Sequence, residues 1–265
     1  MLPKINNKKI ANLYLVLILI FIYLPIISLV IFSFNVSDGR ISSLVHFNKF
    51  GLKFYRKIFQ DIAIKNAIKV TFQIAFLSTF FSTIFGTLAA ISLMNYKKKW
   101  RQSLINANQF SMIIPEVINA LALLVLFSFI GLQNGFMRML LAHISFSIPY
   151  VLISVYTKCC TLDEDLLEAS YDLGATPLQT LSKIILPQLK GAMIASAGIA
   201  FALSFDDFII SYFVGGADCQ NIAAYIYSLK GTINPTINAL SSIFIMFILM
   251  KILLDCFYLR KVSRK

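Results

Sequence analysis

Charged residues are scarce in this 265-residue chain, 14% against 58% hydrophobic. A soluble globular domain of that composition would have far more apolar surface than it could bury, which excludes an ordinary soluble enzyme. Histidine is nearly absent. His46 and His143 are the only two; neither has a cysteine or second histidine at ligand spacing, so no metal site is expected and both read as ordinary interfacial residues. No G-x-x-x-x-G-K-[ST] loop exists to cradle a nucleotide phosphate, so any ATP that drives this protein is bound by another chain. No catalytic pair and no cofactor motif stand out, and no catalytic residue is assigned. Acidic charge is also short, 12 Asp+Glu against 24 Lys+Arg for a net +12. Yet the cations cluster between long uncharged runs instead of covering one continuous solvated face, which argues against nucleic-acid binding.

What the chain does have is long charge-poor stretches. A charge at the bilayer centre costs about 2.5 to 3.5 kcal/mol on insertion scales, so such stretches mark membrane spans. Six emerge, at about 11–34, 70–95, 103–130, 139–157, 191–214 and 233–258. At about 1.5 Å per residue, roughly 20 residues cross the hydrocarbon core, and even the fourth segment is sufficient. The expectation is an all-α membrane protein forming a single transmembrane domain over residues 1–265. Pro25, Pro115 and Pro149 lie inside these segments and suggest kinks, not breaks. The first segment is too long for a signal-peptide core and no A-x-A-like site follows it, so it reads as an anchor.

Lys4, Lys8 and Lys9 precede the first span, which places the amino terminus in the cytoplasm, and an even span count returns the carboxyl terminus there. This topology puts most of the 24 basic residues inside, including Lys97, Lys98, Lys99, Arg101, Arg260, Lys261, Arg264 and Lys265. The first outer loop dissents, carrying Arg40, Lys49, Lys53, Arg56, Lys57, Lys65 and Lys69. Residues 50–68 fit an amphipathic interfacial helix, with Leu52, Tyr55, Ile58, Phe59, Ile62 and Ala63 at three- and four-residue steps; a solvated loop is the alternative. Of the cysteines Cys159, Cys160, Cys219 and Cys256, only Cys219 faces outward in this topology, so no disulfide is expected.

The cytoplasmic segment 158–190 reads as two short helices. Thr161 and Glu164 fit a capping box, Leu162, Leu166, Ala169 and Leu173 form an apolar stripe, and Gly174 supplies the stop. Thr176, Pro177 and Gln179 make a second start, Leu178, Leu181, Ile184 and Ile185 face one way, and Pro187 ends the helix. Too short and polar to span, the pair has more apolar stripe than a free loop exposes, so it should dock on a partner. Glu164, Glu168 and Asp172 line one face as an acidic row, suited to a basic groove or simply solvated.

Acids inside spans are functional candidates by default. Glu116 lies 13 residues past Ser103 and Asp206 lies 15 past Gly191, which puts both at a depth of roughly 20 Å. Glu116, Asp206 and Asp207 could therefore converge on a path for an organic cation, with Tyr212 available for cation–π contact. The alternative is that the acids face water at a helix break or bind a backbone amide.

Glu168, Ala169 and Ser170, then Gly174, Ile184 and Pro187, resemble the EAA signature of bacterial ABC importer permeases, with Ser170 in place of the usual second alanine. The resemblance implies a type I importer permease fold with six transmembrane helices. It also implies that this loop sits in a cleft of the ATP-binding subunit. The strings SFDDFIISYFV at 204–214, YIYSLKGTINPTINAL at 225–240 and PEVINALALLVLFSFIG at 115–131 are similar to the C-type permeases of spermidine/putrescine importers. Similarity runs over about residues 10–251. It implies a bacterial inner-membrane complex of two homologous permeases, an ABC ATPase dimer and an external polyamine-binding protein, working by alternating access. The rival readings are a related importer permease for iron, thiamine, sulfate or phosphonate, and an ion-coupled secondary transporter.

Overall fold

The computed structural model describes residues 8–36, 47–229 and 235–262. His46, Lys4, Arg40, Arg264, Lys265 and the middle of the 225–240 string lie outside the described residues. So do the side chains of Glu164 and Cys256. The helices are α1 (Lys8–Phe32), α2 (Lys53–Gln60), α3 (Ile62–Met94), α4 (Lys98–Ile113), α5 (Glu116–Phe129), α6 (Gly135–Cys159), α7 (Glu164–Asp172) and α8 (Pro177–Thr180). A π-turn, Leu181–Ile185, leads into α9 (Leu186–Asp206), followed by α10 (Ile209–Gly215), α11 (Ile222–Ser228) and α12 (Pro235–Val262). Among the described residues, four helices are long and apolar enough to cross a bilayer: Asn12–Phe32, Ile62–Met94, Gly135–Cys159 and Pro177–Asp206. The pair α4 and α5 makes a fifth if its two halves count as one span. The expected sixth falls on α12, whose apolar stretch Thr236–Phe247 is shorter.

The chain divides into two compact units. In the first, residues 1–65 and 228–265, α1 exposes large apolar side chains on every side from Leu13 to Leu24, the pattern of a helix solvated by lipid or covered by another chain. Its end is tied down by polar contacts. Tyr55 Oη lies 2.6 Å from both Ser33 Oγ and Ser242 Oγ, joining the end of α1 to α2 and α12. Phe34 stacks on Phe50 at 5.2 Å beside the antiparallel bridge Asn35–Phe50. The expected interfacial helix over 50–68 is shorter than its apolar pattern suggested. α2 stops at Gln60 because Asp61 turns extended and its carboxylate accepts from Ala63 N at 2.9 Å and Ile64 N at 3.4 Å, capping α3. Residues 62–68 therefore belong to the long helix, and α2 buries Phe54 and Ile58 while Leu52 and Phe59 remain exposed.

The second unit, residues 66–227, is organised around α6 and α9. Ala90, Val151, Val155, Cys159, Leu189 and Ala200 form one buried cluster, and Ala120, Phe127, Ala142, Ile210 and Val214 form another where α5, α6 and α10 meet. Gly86 permits α3 to lie close on α6: a Cβ there would stand 2.6 Å from Val151 Cγ1.

Two proline expectations are corrected. Pro115 breaks its span instead of kinking it. The residue before a proline is pushed out of the helical region, Ile114 is extended at φ −59° and ψ 132°, and α4 and α5 meet at 102°. Pro187 ends nothing, because helix runs continuously over Pro177–Asp206. The π-turn just before it widens the backbone, with Leu186 N–H bonded to Leu181 O, and so makes room for the proline ring in the first turn of α9.

Candidate functional site

The break at Pro115 places Glu116 in the first turn of α5, and a second break separates α9 from α10 at Asp207, which has φ −66° and ψ 129°. The two breaks face one cavity of about 660 Å³ lined by Glu116, Asp206 and Asp207 together with Phe146, Tyr150 and Phe208. Discontinuous helices lining a cavity are the arrangement in which non-helical backbone is tolerated at membrane depth. The carboxyl groups of Glu116, Asp206 and Asp207 interact electrostatically. Tyr212 is not among the cavity's lining residues; it packs on Phe208 at 5.5 Å and on Tyr227 at 5.1 Å. The aromatic faces in the cavity come from Phe146, Tyr150 and Phe208, which carry no sequence signal beyond being aromatic.

The adjacent acids have different surroundings. Asp206 is exposed, and Glu116 is half-buried. Asp207 is only 5% exposed. Its carboxylate accepts from Ile210 N at 3.1 Å, Ser211 N at 2.8 Å and Ser211 Oγ at 2.7 Å, and so caps α10, while its carbonyl accepts from Asn221 Nδ2 at 2.6 Å. An acceptor surrounded by donors is the pattern of an ionised carboxylate. Binding to backbone amides, one of the alternatives left open by the sequence, is therefore what Asp207 does. His143 is a correction of another kind. Far from interfacial, it is 1% exposed, with Nδ1 2.8 Å from Ser204 Oγ, Nε2 3.0 Å from Ser211 Oγ and Nε2 3.4 Å from Asp207 Oδ2. Its partners lie more than 60 residues away in sequence, so no local pattern could reveal it.

The 158–190 segment forms a second candidate site. α7 is capped by Asp163, whose carboxylate accepts from Asp165 N at 3.0 Å, and not by Thr161, whose hydroxyl donates back to Lys158 O at 2.8 Å. A carboxylate two residues closer to the helix outcompetes the hydroxyl. Gly174 ends α7 at φ +78°, with Gly174 N–H on Tyr171 O and Ala175 N–H on Ser170 O, the paired bonds of a Schellman stop. The Thr176 capping box is present: Gln179 Oε1 accepts from Thr176 N at 2.9 Å, and Thr176 Oγ1 accepts from Gln179 N at 3.4 Å. Ser170 Oγ and Thr180 Oγ1, both buried, lie 2.9 Å apart and clamp α7 to α8. Glu168, Ala169, Asp172 and Pro187 are exposed, and Ile184 is half-buried. Leu173 at 89%, Leu178 at 72% and Leu166 at 48% exposure leave an apolar face uncovered beside the acids.

A family model described as the inner membrane component of binding-protein-dependent transport systems matches residues 82–262. The spermidine/putrescine transport system permease protein PotC of Haemophilus influenzae is 32% identical over 251 residues, 94% of this chain and 96% of the relative. PotC of Escherichia coli strain K12 is 33% identical over 234 residues, covering 88% of this chain and 87% of the relative. The putrescine transport system permease protein PotI of the same strain is 30% identical over 234 residues, covering 84% and 81%. Among solved structures, a chain of a bacterial ABC transporter involved in import of the acidic polysaccharide alginate matches with a TM-score of 0.67 at 20% identity, covering 97% of this chain and 95% of that one. Its likeness gives the fold, that of a type I importer permease. This multi-pass chain belongs to the family of inner membrane components of binding-protein-dependent transport systems and is a transport permease subunit.

Proposed function

We propose that the chain is one permease of an ATP-driven importer that carries polyamines, spermidine or putrescine, across the bacterial cytoplasmic membrane. The observation that carries this reading is the cavity in which Glu116, Asp206 and Asp207 meet Phe146, Tyr150 and Phe208. Three carboxyl groups lining one cavity repel each other, and an elongated cation relieves that repulsion. At an effective dielectric constant of about 20, a unit charge pair 4 Å apart interacts by about 4 kcal/mol, enough to select an ammonium group over a neutral solute. Aromatic faces add cation–π attraction to the methylene-linked amines. The names of the relatives at 30–33% identity support the same substrate class.

In this reading the chain is one permease domain over residues 1–265 with both termini in the cytoplasm. It pairs with a second homologous permease in the lipid bilayer, an external polyamine-binding protein delivers the solute, and an ABC ATPase dimer supplies the energy. The exposed face of the 158–190 segment, with Glu168, Ala169, Asp172, Leu173 and Leu178, sits in the ATPase cleft, and Glu164 of the acidic row is assigned to the same contact from its sequence position. Ser170, Gly174, Ile184 and Pro187 shape the segment. Helix over Pro177–Asp206 then joins the ATPase contact directly to the cavity acids, so a displacement at one end reaches the other without an intervening loop.

Uptake of labelled spermidine by the complete complex tests the assignment. Glu116→Gln and Asp206→Asn should each raise the uptake KM about tenfold. Unchanged KM in both variants overturns the cation path, and wild-type complex that carries another solute but no spermidine overturns the substrate class.

A further inference from the structure

A buried polar chain lies behind the cavity, and donor counting assigns the direction of its links to Asp207. Ser78 Oγ lies 3.0 Å from Ser204 Oγ and 3.3 Å from Ala75 O, and Ser204 Oγ lies 2.8 Å from His143 Nδ1. Ser211 Oγ donates to Asp207 Oδ2 at 2.7 Å and accepts from Asn221 Nδ2 at 2.8 Å, so its contact with His143 Nε2 at 3.0 Å requires Nε2 to carry the hydrogen. His143 Nε2 therefore carries a hydrogen, and donation runs from His143 through Ser211 to end on the Asp207 carboxylate, with Ser204 and Ser78 continuing the chain on the Nδ1 side. Each of these residues is less than 6% exposed. The chain crosses from α3 to α9, to α6, and to the junction of α9 with α10.

Ser204 and Asp207 sit at the cavity end of the helix that begins at Pro177 in the coupling segment. His143, on α6, bonds Ser204 on one side of the helix break and Ser211 on the other. We infer that His143 is a positioning residue that latches the cavity end of this lever to α6, so that Asp207 stays a fixed anionic wall until the ATPase moves the helix. The inference rests on the proposed importer mechanism and adds a restraint to it. A displacement of α9 relative to α6 must break the Ser204–His143 bond inside the bilayer, where no water replaces it, so the chain resists idle motion of the lever.

The test measures ATP hydrolysis by the complete complex in lipid nanodiscs without solute or binding protein, followed by spermidine uptake in proteoliposomes. His143→Leu should raise solute-free hydrolysis at least threefold per assembled complex and raise the uptake KM. His143→Gln, which keeps a donor toward Ser211, should return both values toward wild type. Asp207→Asn added to His143→Leu should raise hydrolysis no further, because both changes open the same chain. Ser204→Ala removes the Nδ1 contact, along with the bond to Ser78, but leaves the Nε2 contact with Ser211, and should raise hydrolysis about twofold; it serves the same purpose if His143→Leu does not assemble. Unchanged hydrolysis in assembled Ser204→Ala or His143→Leu overturns the latch, as does a loss confined to the amount of complex. Absence of spermidine uptake in wild type would instead count against the substrate class, and the solute-free hydrolysis would still decide the latch.

Discussion

Asp206 and Asp207 are neighbours in the chain, but one faces the cavity freely and the other is enclosed by donors. Their amide variants should therefore fail differently. Asp207→Asn puts an NH2 group against N–H and O–H donors and leaves one buried donor unpaired, which costs about 1–3 kcal/mol. At roughly 2–4 °C per kcal/mol for a chain of this size, its thermal midpoint in detergent should fall by several degrees along with transport. Asp206→Asn should keep the wild-type midpoint and lose affinity for solute only. Equal midpoints for the two variants would contradict the capping role of Asp207. That these acids could meet was legible because charge is so costly in a span that its presence is a signal, and all three line one cavity. Which acid is structural was not, since that depends on Ser211, Asn221 and His143 being folded around it. His143 itself looked inert in sequence for the same reason.

At the scale of elements, what the sequence shows clearly is what is decided locally. Gly174 and the Thr176–Pro177–Gln179 start are set by backbone geometry within one turn, and both are where the spacing puts them. The breaks are different. Pro115 and Pro187 have the same chemistry, yet one ends a helix and the other is absorbed by a π-turn, and the outcome depends on tertiary packing around each. The Ser170–Thr180 clamp gives a test specific to this segment. Ser170→Ala leaves Thr180 Oγ1 buried without that partner, should loosen the α7–α8 elbow by about 1–3 kcal/mol, and should reduce the amount of ATPase that co-purifies with the permease. Undiminished co-purification would show that the clamp is not needed for docking. On the membrane side, Gly86→Ala forces α3 away from Val151 and should destabilise the unit by about 1–3 kcal/mol, while Val151→Ala in the same chain should recover most of the loss. Thermal unfolding of the two variants and the double mutant measures it.

At the scale of the whole molecule, two broken spans and one unbroken helix supply the parts an importer requires. The breaks create a polar cavity where intact apolar helices would leave none, and the helix over Pro177–Asp206 runs from the 158–190 segment to that cavity. The membrane class was evident from the distribution of charge alone; the lever was not, because Pro187 reads as a terminus until the π-turn before it is seen. The central claim is that force applied by an ATPase to the 158–190 segment moves a cation through the cavity. Its most direct measurement is spermidine uptake into proteoliposomes holding the complete complex, with ATP supplied or withheld and with the ion gradient intact or collapsed. The account predicts uptake that requires ATP, persists without the gradient, and is lost in Glu168→Arg while the binding protein still docks. Uptake by the permease alone, driven by the gradient and indifferent to ATP, would contradict it.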